Sequence, residues 1–166
     1  MTNIIYGLIW LAVTAADQLV KLGIVKNYDL YDRIGSLGNI ADFVYVRNTG
    51  AAFSMLSGKL GLLSIISIAF CIGVVVYWFK KKPTHPLMCT ALTLLASGAL
   101  GNAIDRIIRG YVVDYISLSF ISFPVFNIAD IAITIGAVLM VVYVMFFDKE
   151  SGAKSKEEKE SDGDNT

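Results

Sequence analysis

Charge, histidine and cysteine are all scarce in this chain of 166 residues. Only 17% of its residues are charged, against about a quarter in an ordinary soluble domain, while 55% are hydrophobic. So apolar a composition excludes a soluble globular domain and predicts an integral membrane protein. The 14 basic and 14 acidic residues cancel to a net charge of +0, which argues against a nucleic-acid partner, because neutralising phosphates needs a basic surface. His85 is the only histidine, and the two cysteines, Cys71 and Cys89, lack paired spacing. That leaves no zinc site, no metal and no disulfide to expect, and both thiols read as buried. No lysine or arginine precedes the first apolar stretch, and hydrophobicity resumes after Asp17 through Leu22, Ile24 and Val25. It therefore reads as a retained span rather than a cleaved signal peptide.

What the chain has in quantity is long apolar runs. Four of them, 4–25, 60–79, 87–108 and 125–147, each have the roughly 20 residues that cross a bilayer as a helix. The fold expected is mainly α, four transmembrane helices under a small extracytoplasmic β-containing cap. Lys80, Lys81 and Lys82 crowd a short connector. The positive-inside rule puts it, and with it both termini, on the cytoplasmic side. Residues 1–148 then form the membrane domain, and 149–166, rich in Lys, Glu, Ser and Gly, a disordered cytoplasmic tail. The outer loops are 26–59 and 109–124. The first is too long for a plain connector. Within it Phe43-Val44-Tyr45-Val46 is strand-like and Thr49-Gly50 offers a turn before Ala51-Ala52; in the second, Val112 to Phe120 has an extended pattern.

Polar residues inside the spans are the informative exceptions, since an acid in hydrocarbon costs on the order of 2.5–3.5 kcal/mol even on lenient insertion scales. At about 1.5 Å per residue, Asp17 and Lys21, then Asn102, Asp105 and Arg106, then Asn127 and Asp130 all fall at one membrane level near the outer face. Asp17 and Lys21 share a helix face and can pair, and Asn102 shares one with Asp105 and Arg106. Asp130 has no basic residue within a turn, so its partner must come from another element. By its position alone, Asp114 is an ordinary loop aspartate.

Five segments together form a pattern: DQLVK at Asp17 to Lys21, VRNTGAAFS at Val46 to Ser54, GALGNAIDR at Gly98 to Arg106, VVDY at Val112 to Tyr115 and FNIAD at Phe126 to Asp130. In these, and in their order, the chain resembles the lipoprotein signal peptidases, the type II signal peptidases. The resemblance implies a membrane aspartic endopeptidase; no cofactor is expected, and the partners expected besides substrate are membrane lipids, the chain itself being a monomer. Its substrate would be a diacylglyceryl-modified bacterial prolipoprotein, cut before the lipidated cysteine. Carried over by motif, Asp114 and Asp130 are the catalytic pair. Asp17, Lys21, Asn48, Gly50, Asn102, Asp105, Arg106, Asn127 and Ala129 take substrate-binding or supporting roles. Tyr115 stands where phenylalanine is more usual and Ser97 where glycine is common.

Metal-free peptide hydrolysis needs two carboxyl groups in opposite protonation states. Asp130, at a helix N-terminus, is the favoured base. Asp114 is expected to close over it from its loop when substrate arrives, with Asn127 orienting one carboxylate. Asp17, Lys21, Asp105 and Arg106 are expected to be scaffold, and Gly50-Ala51-Ala52 to let a substrate backbone pass closely. A proton-coupled transporter also needs intramembrane acids, but it would need more helices, an inverted repeat and acids at mid-depth. A purely structural subunit would tolerate loss of Asp130. A presenilin-like protease would carry a GxGD stretch, which is absent.

Overall fold

The structure, a computed structural model, describes residues 2–50 and 58–147. Ala51 and Ala52 of the expected substrate passage, and the expected tail 149–166, lie outside the described residues. Four helices carry the apolar runs: α1 (Thr2–Asn27), α2 (Leu60–Lys81), α3 (Pro86–Arg109) and α4 (Ile128–Phe146). All four are long and apolar enough to cross a membrane. Large apolar side chains such as Ile65, Val138 and Met145 point outward, as suits hydrocarbon surroundings. Three strands, β1 (Arg33–Leu37), β2 (Ala41–Asn48) and β3 (Val112–Leu118), form an antiparallel sheet in the order β1-β2-β3. The sheet follows the end of α1 and joins the end of α3 to the start of α4, so it caps that end of the bundle.

Helix α3 is the central post. Half of its apolar window is buried, against 17–22% for the other three helices. Its buried side is built from small residues, Ala91, Ala96, Ser97, Gly98, Gly101 and Ala103. Between lipid-embedded helices small side chains let backbones approach, and van der Waals packing then replaces the missing hydrophobic drive. The approach is close: a Cβ on Gly98 would lie 2.2 Å from the Ala129 carbonyl oxygen, and one on Gly136 2.9 Å from the Ala91 carbonyl oxygen. Both contacts set α4 hard against α3.

Helix α4 starts three residues later than the hydropathy suggests. Val125 and Phe126 are apolar but lie outside the helix: Phe126 exchanges backbone hydrogen bonds with Ile116 (2.8 and 3.0 Å) and so adds a bridge to β3. Asn127 is the N-cap. Its Oδ1 accepts from the Asp130 backbone N–H (3.0 Å) and Asp130 Oδ2 accepts from the Asn127 N–H (3.2 Å), a complete capping box. Asp130 is thus the third helical residue, at the positive end of the helix dipole, and not an acid within a helix that began at Val125. At the other end of the bundle Lys80 and Lys81 close the last turn of α2 and Lys82 caps it, where cations are favoured.

Gly98→Ala should force α3 and α4 apart and cost on the order of 1–3 kcal/mol, the range of an overpacked core. Gly73→Ala, where nothing lies within 4 Å of the added carbon, is the control. Thermal unfolding in detergent should fall for the first and stay level for the second.

Candidate active site

A fully buried ammonium organises the polar end of the bundle. Lys21 on α1 is 0% exposed and meets three oxygens: Asp17 Oδ2 (2.9 Å), Asp105 Oδ2 (3.0 Å) and Asn102 Oδ1 (3.0 Å). A lysine has three donors, so none is left over. Arg109 supplies the second cation by pairing with Asp105 Oδ1, and two acids facing two cations make the buried network neutral. Gln18 laces it together, donating to Gly101 O (3.0 Å), Asp17 Oδ2 (3.2 Å) and Asp105 Oδ1 (3.3 Å). The carboxylates also reach the other two elements of the site. Asp17 Oδ1 accepts from the Ala129 N–H in the first turn of α4 (3.1 Å), and Asp105 Oδ2 from the Val113 N–H in β3 (3.1 Å).

This network dictates which way two asparagines face. Lys21 can only donate, so the Asn102 atom beside it must be the oxygen; Nδ2 is thereby turned to Asp130 Oδ1 at 2.7 Å. Asn127 Oδ1 is held by the capping box, so its Nδ2 faces Asp114 Oδ1 at 2.6 Å, with Asn102 Oδ1 at 3.2 Å and Val113 O at 3.3 Å. One residue, Asn127, therefore donates to both acids, through its side chain to Asp114 and its backbone to Asp130.

Asp114 comes from β3 and is 2% exposed. Asn48 on β2 donates to its Oδ2 (2.9 Å), while Asn48 Oδ1 accepts from the Gly50 N–H (2.9 Å), a local turn that holds the amide in place. Burial, seconded by the negative charge of Asp130, raises the Asp114 carboxyl to about 7; the hydrogen bonds from Asn48 and Asn127 and the charge of Lys21 work against that rise. Both acids line one cleft of about 800 Å³, whose walls include Asn48, Asn102 and Arg106 and the apolar Leu63, Ile66 and Ile133. Among the described residues no three His, Cys, Asp or Glu side chains gather to hold a metal ion.

The description Signal peptidase (SPase) II belongs to the family model that matches residues 9–146. The chain is 40% identical over 146 residues to a lipoprotein signal peptidase of Lactobacillus johnsonii, covering 88% of this chain and 95% of that one. It is 42% identical over 143 residues to one of Streptococcus agalactiae serotype V, covering 86% and 92%. This chain belongs to the signal peptidase II family. A solved bacterial membrane enzyme, determined by the in meso method at 2.3 Å resolution, shares its fold with a TM-score of 0.80 and 36% identity over 84% of this chain and 87% of that chain. A second, at 1.9 Å, gives 0.76 and 36% over 86% and 93%.

As a signal peptidase II the protein is an aspartic peptidase, and all five motifs lie inside the matched region. Asp17, Lys21 and Asp105 form the buried network; Asn48, Asn102, Asn127 and Ala129 contact it or the two acids, and Gly50 reaches them only through Asn48. One placement differs from the expectation. Arg106 is not part of the Asp17–Lys21–Asp105 scaffold: it lies on the cleft wall with both acids, donates to Gly50 O (3.4 Å), and its buried Nε has no partner among the described residues. Asp114 sits on β3, within the stretch expected to be extended, and is hydrogen-bonded to Asn127 at the start of α4. Gln18 and Arg109 were missed. Arg109 was legible as the residue four after Asp105; Gln18 had no signal beyond its place in DQLVK.

Lys21→Met leaves Asp17 without a cation, Asp105 keeping only Arg109, and should cost about 3–5 kcal/mol, the range for breaking one side of a buried ion pair. Adding Asp17→Asn, which removes the carboxylate that has no other cation while Asp105 keeps Arg109, should recover part of that loss, read as the unfolding temperature in detergent.

Proposed function

We propose that this membrane enzyme removes signal peptides from diacylglyceryl-modified bacterial prolipoproteins, with Asp114 and Asp130 activating water to cut before the lipidated cysteine. The observation that carries the reading is that Asn127 binds both carboxyl groups at the wall of one cleft. Asp130 receives N–H donors from Asn102 and Asn127 at a helix N-terminus, which favours a carboxylate and suits a general base. Asp114, raised to about 7, keeps its proton near neutral pH and suits the acid that polarises the scissile carbonyl and later protonates the leaving amine.

The apolar wall contributed by Leu63 and Ile66 of α2 and Ile131, Ile133 and Ile135 of α4 lies beside the acids. An acyl-anchored precursor reaching the site by lateral diffusion would find hydrocarbon contacts next to the peptide site. The lysine-rich end of α2 supports a topology with both termini cytoplasmic and the cleft at the outer face.

Purified enzyme should cut a diacylated precursor and leave an unlipidated copy intact. Asp114→Asn and Asp130→Asn should each lower turnover at least about 100-fold, the lower bound for a lost acid or base, while inserting normally. Near wild-type turnover by either variant contradicts the assignment. Wild-type kcat/KM should decline as pH rises through about 7, because the Asp114 proton is then lost. The same shift has a stability consequence. A carboxyl raised from 3.8 on folding binds protons that the unfolded chain releases, so its contribution falls between pH 4 and 7 and is level above. The unfolding temperature of Asp114→Asn relative to wild type should therefore improve across that window.

A further inference from the structure

Arg47 is held in a way an idle surface arginine is not. Its Nε donates to the Tyr45 hydroxyl at 2.9 Å, and its guanidinium carbon lies 4.7 Å from the Tyr111 ring centroid and 5.5 Å from that of Tyr45. The two tyrosine hydroxyls are 3.2 Å apart and brace each other. Tyr45 is 1% exposed and packs on Ile24 and Val113, so the platform is part of the core between the end of α1 and the sheet. The guanidinium itself remains exposed, and no carboxylate pairs with it among the described residues. Asp105, one turn before the end of α3, is committed to Lys21 and Arg109. The clamp immobilises a side chain whose free state is rich in rotamers, while the residue stays exposed at the edge of the cleft it helps to line and its Nη1 and Nη2 carry no ion pair among the described residues. That is a pre-organised fork for a two-oxygen anion.

Its position narrows the anion. Arg47 pairs in register with Val113, just past the end of α3, and Tyr111 lies two residues beyond that helix. Both spanning helices α1 and α3 finish at this level, which is where a bilayer presents headgroup phosphates. We propose that the Tyr45–Tyr111-clamped Arg47 is a binding site for the phosphate of a membrane phospholipid headgroup, at the rim of the cleft that holds Asp114 and Asp130. A lipid seated there would fix the cap's height relative to the bilayer surface, whatever peptide the cleft takes.

The test is native mass spectrometry of the full-length enzyme in neutral maltoside detergent, counting bound lipid as dioleoylphosphatidylglycerol is titrated. Arg47→Gln should weaken that binding about fivefold or more, the scale of one basic side chain at a lipid surface. Tyr45→Phe, which frees Nε, should give a smaller loss. Arg33→Gln, which removes an exposed arginine already paired with Asp42, should leave it unchanged. Dioleoylglycerol, which lacks phosphate, should bind no differently to wild type and Arg47→Gln. Equal phosphatidylglycerol binding by wild type and Arg47→Gln overturns the proposal. So does displacement of the lipid by an equal concentration of chain-free glycerophosphoglycerol, which assigns the fork to a soluble phosphate. A rise in KM for a diacylated precursor with lipid binding intact also overturns it, because Arg47 then serves the substrate.

Discussion

An ammonium group with no exposed surface must find all its acceptors inside the protein, and the site is arranged around Lys21 doing so. Burying one charge unpaired costs several kcal/mol, so α1 and α3 are locked in the register that brings Asp17, Asp105 and Asn102 to it. Everything nearer the chemistry inherits that register. Asp17 holds the first turn of α4 through Ala129, Asp105 holds β3 through Val113, and Asn102 passes the polarity of Lys21 on to Asp130. The two acids sit on different elements, yet one neutral network fixes both elements.

The small residues of α3 are the second requirement. Ion pairs of about 3 Å can form between helices only if the backbones come close, and Gly98 and Gly101 permit that where α1, α3 and α4 meet. A Cβ on Gly101 would lie 2.7 Å from Asp17 Oδ2, so this glycine keeps room for the carboxylate itself. Asp114 depends on a different constraint. Sheet register sets it opposite Val46, and Asn48 reaches its carboxylate from the same strand.

The four spans and the membrane class were legible because hydrocarbon demands long apolar runs, and the Asp17–Lys21 pair because residues four apart share a helix face. The edges were less so. Val125 and Phe126 are as apolar as the helix they precede, and it is the pairing of Phe126 with Ile116, a tertiary contact, that holds Phe126 out of the helix. Strand β1, Arg-Ile-Gly-Ser-Leu, has too little alternation to announce itself. On α3, Asp105 and Arg106 are about 100° apart around the axis, so one faces α1 and the other the cleft. Spacing groups both with Asn102 and cannot tell which neighbour lies on which side. The partner of Asp130 was out of reach for the same reason: Asn102 is 28 residues away on another helix. The motif resemblance named both acids, but their bridging by Asn127 is a fact of three dimensions.

The account rests on two carboxyl groups of unlike protonation facing one cleft. Infrared difference spectroscopy of enzyme labelled with carbon-13 aspartate, titrated across neutral pH, reads that state directly through the carbonyl stretch of a protonated carboxylic acid. One such band should be present below about pH 7, fade above it, vanish in Asp114→Asn, and titrate at lower pH in Asp130→Asn, where the neighbouring charge is gone. Absence of the band from the wild-type enzyme below neutral pH, or its survival unchanged in Asp114→Asn, would contradict the account.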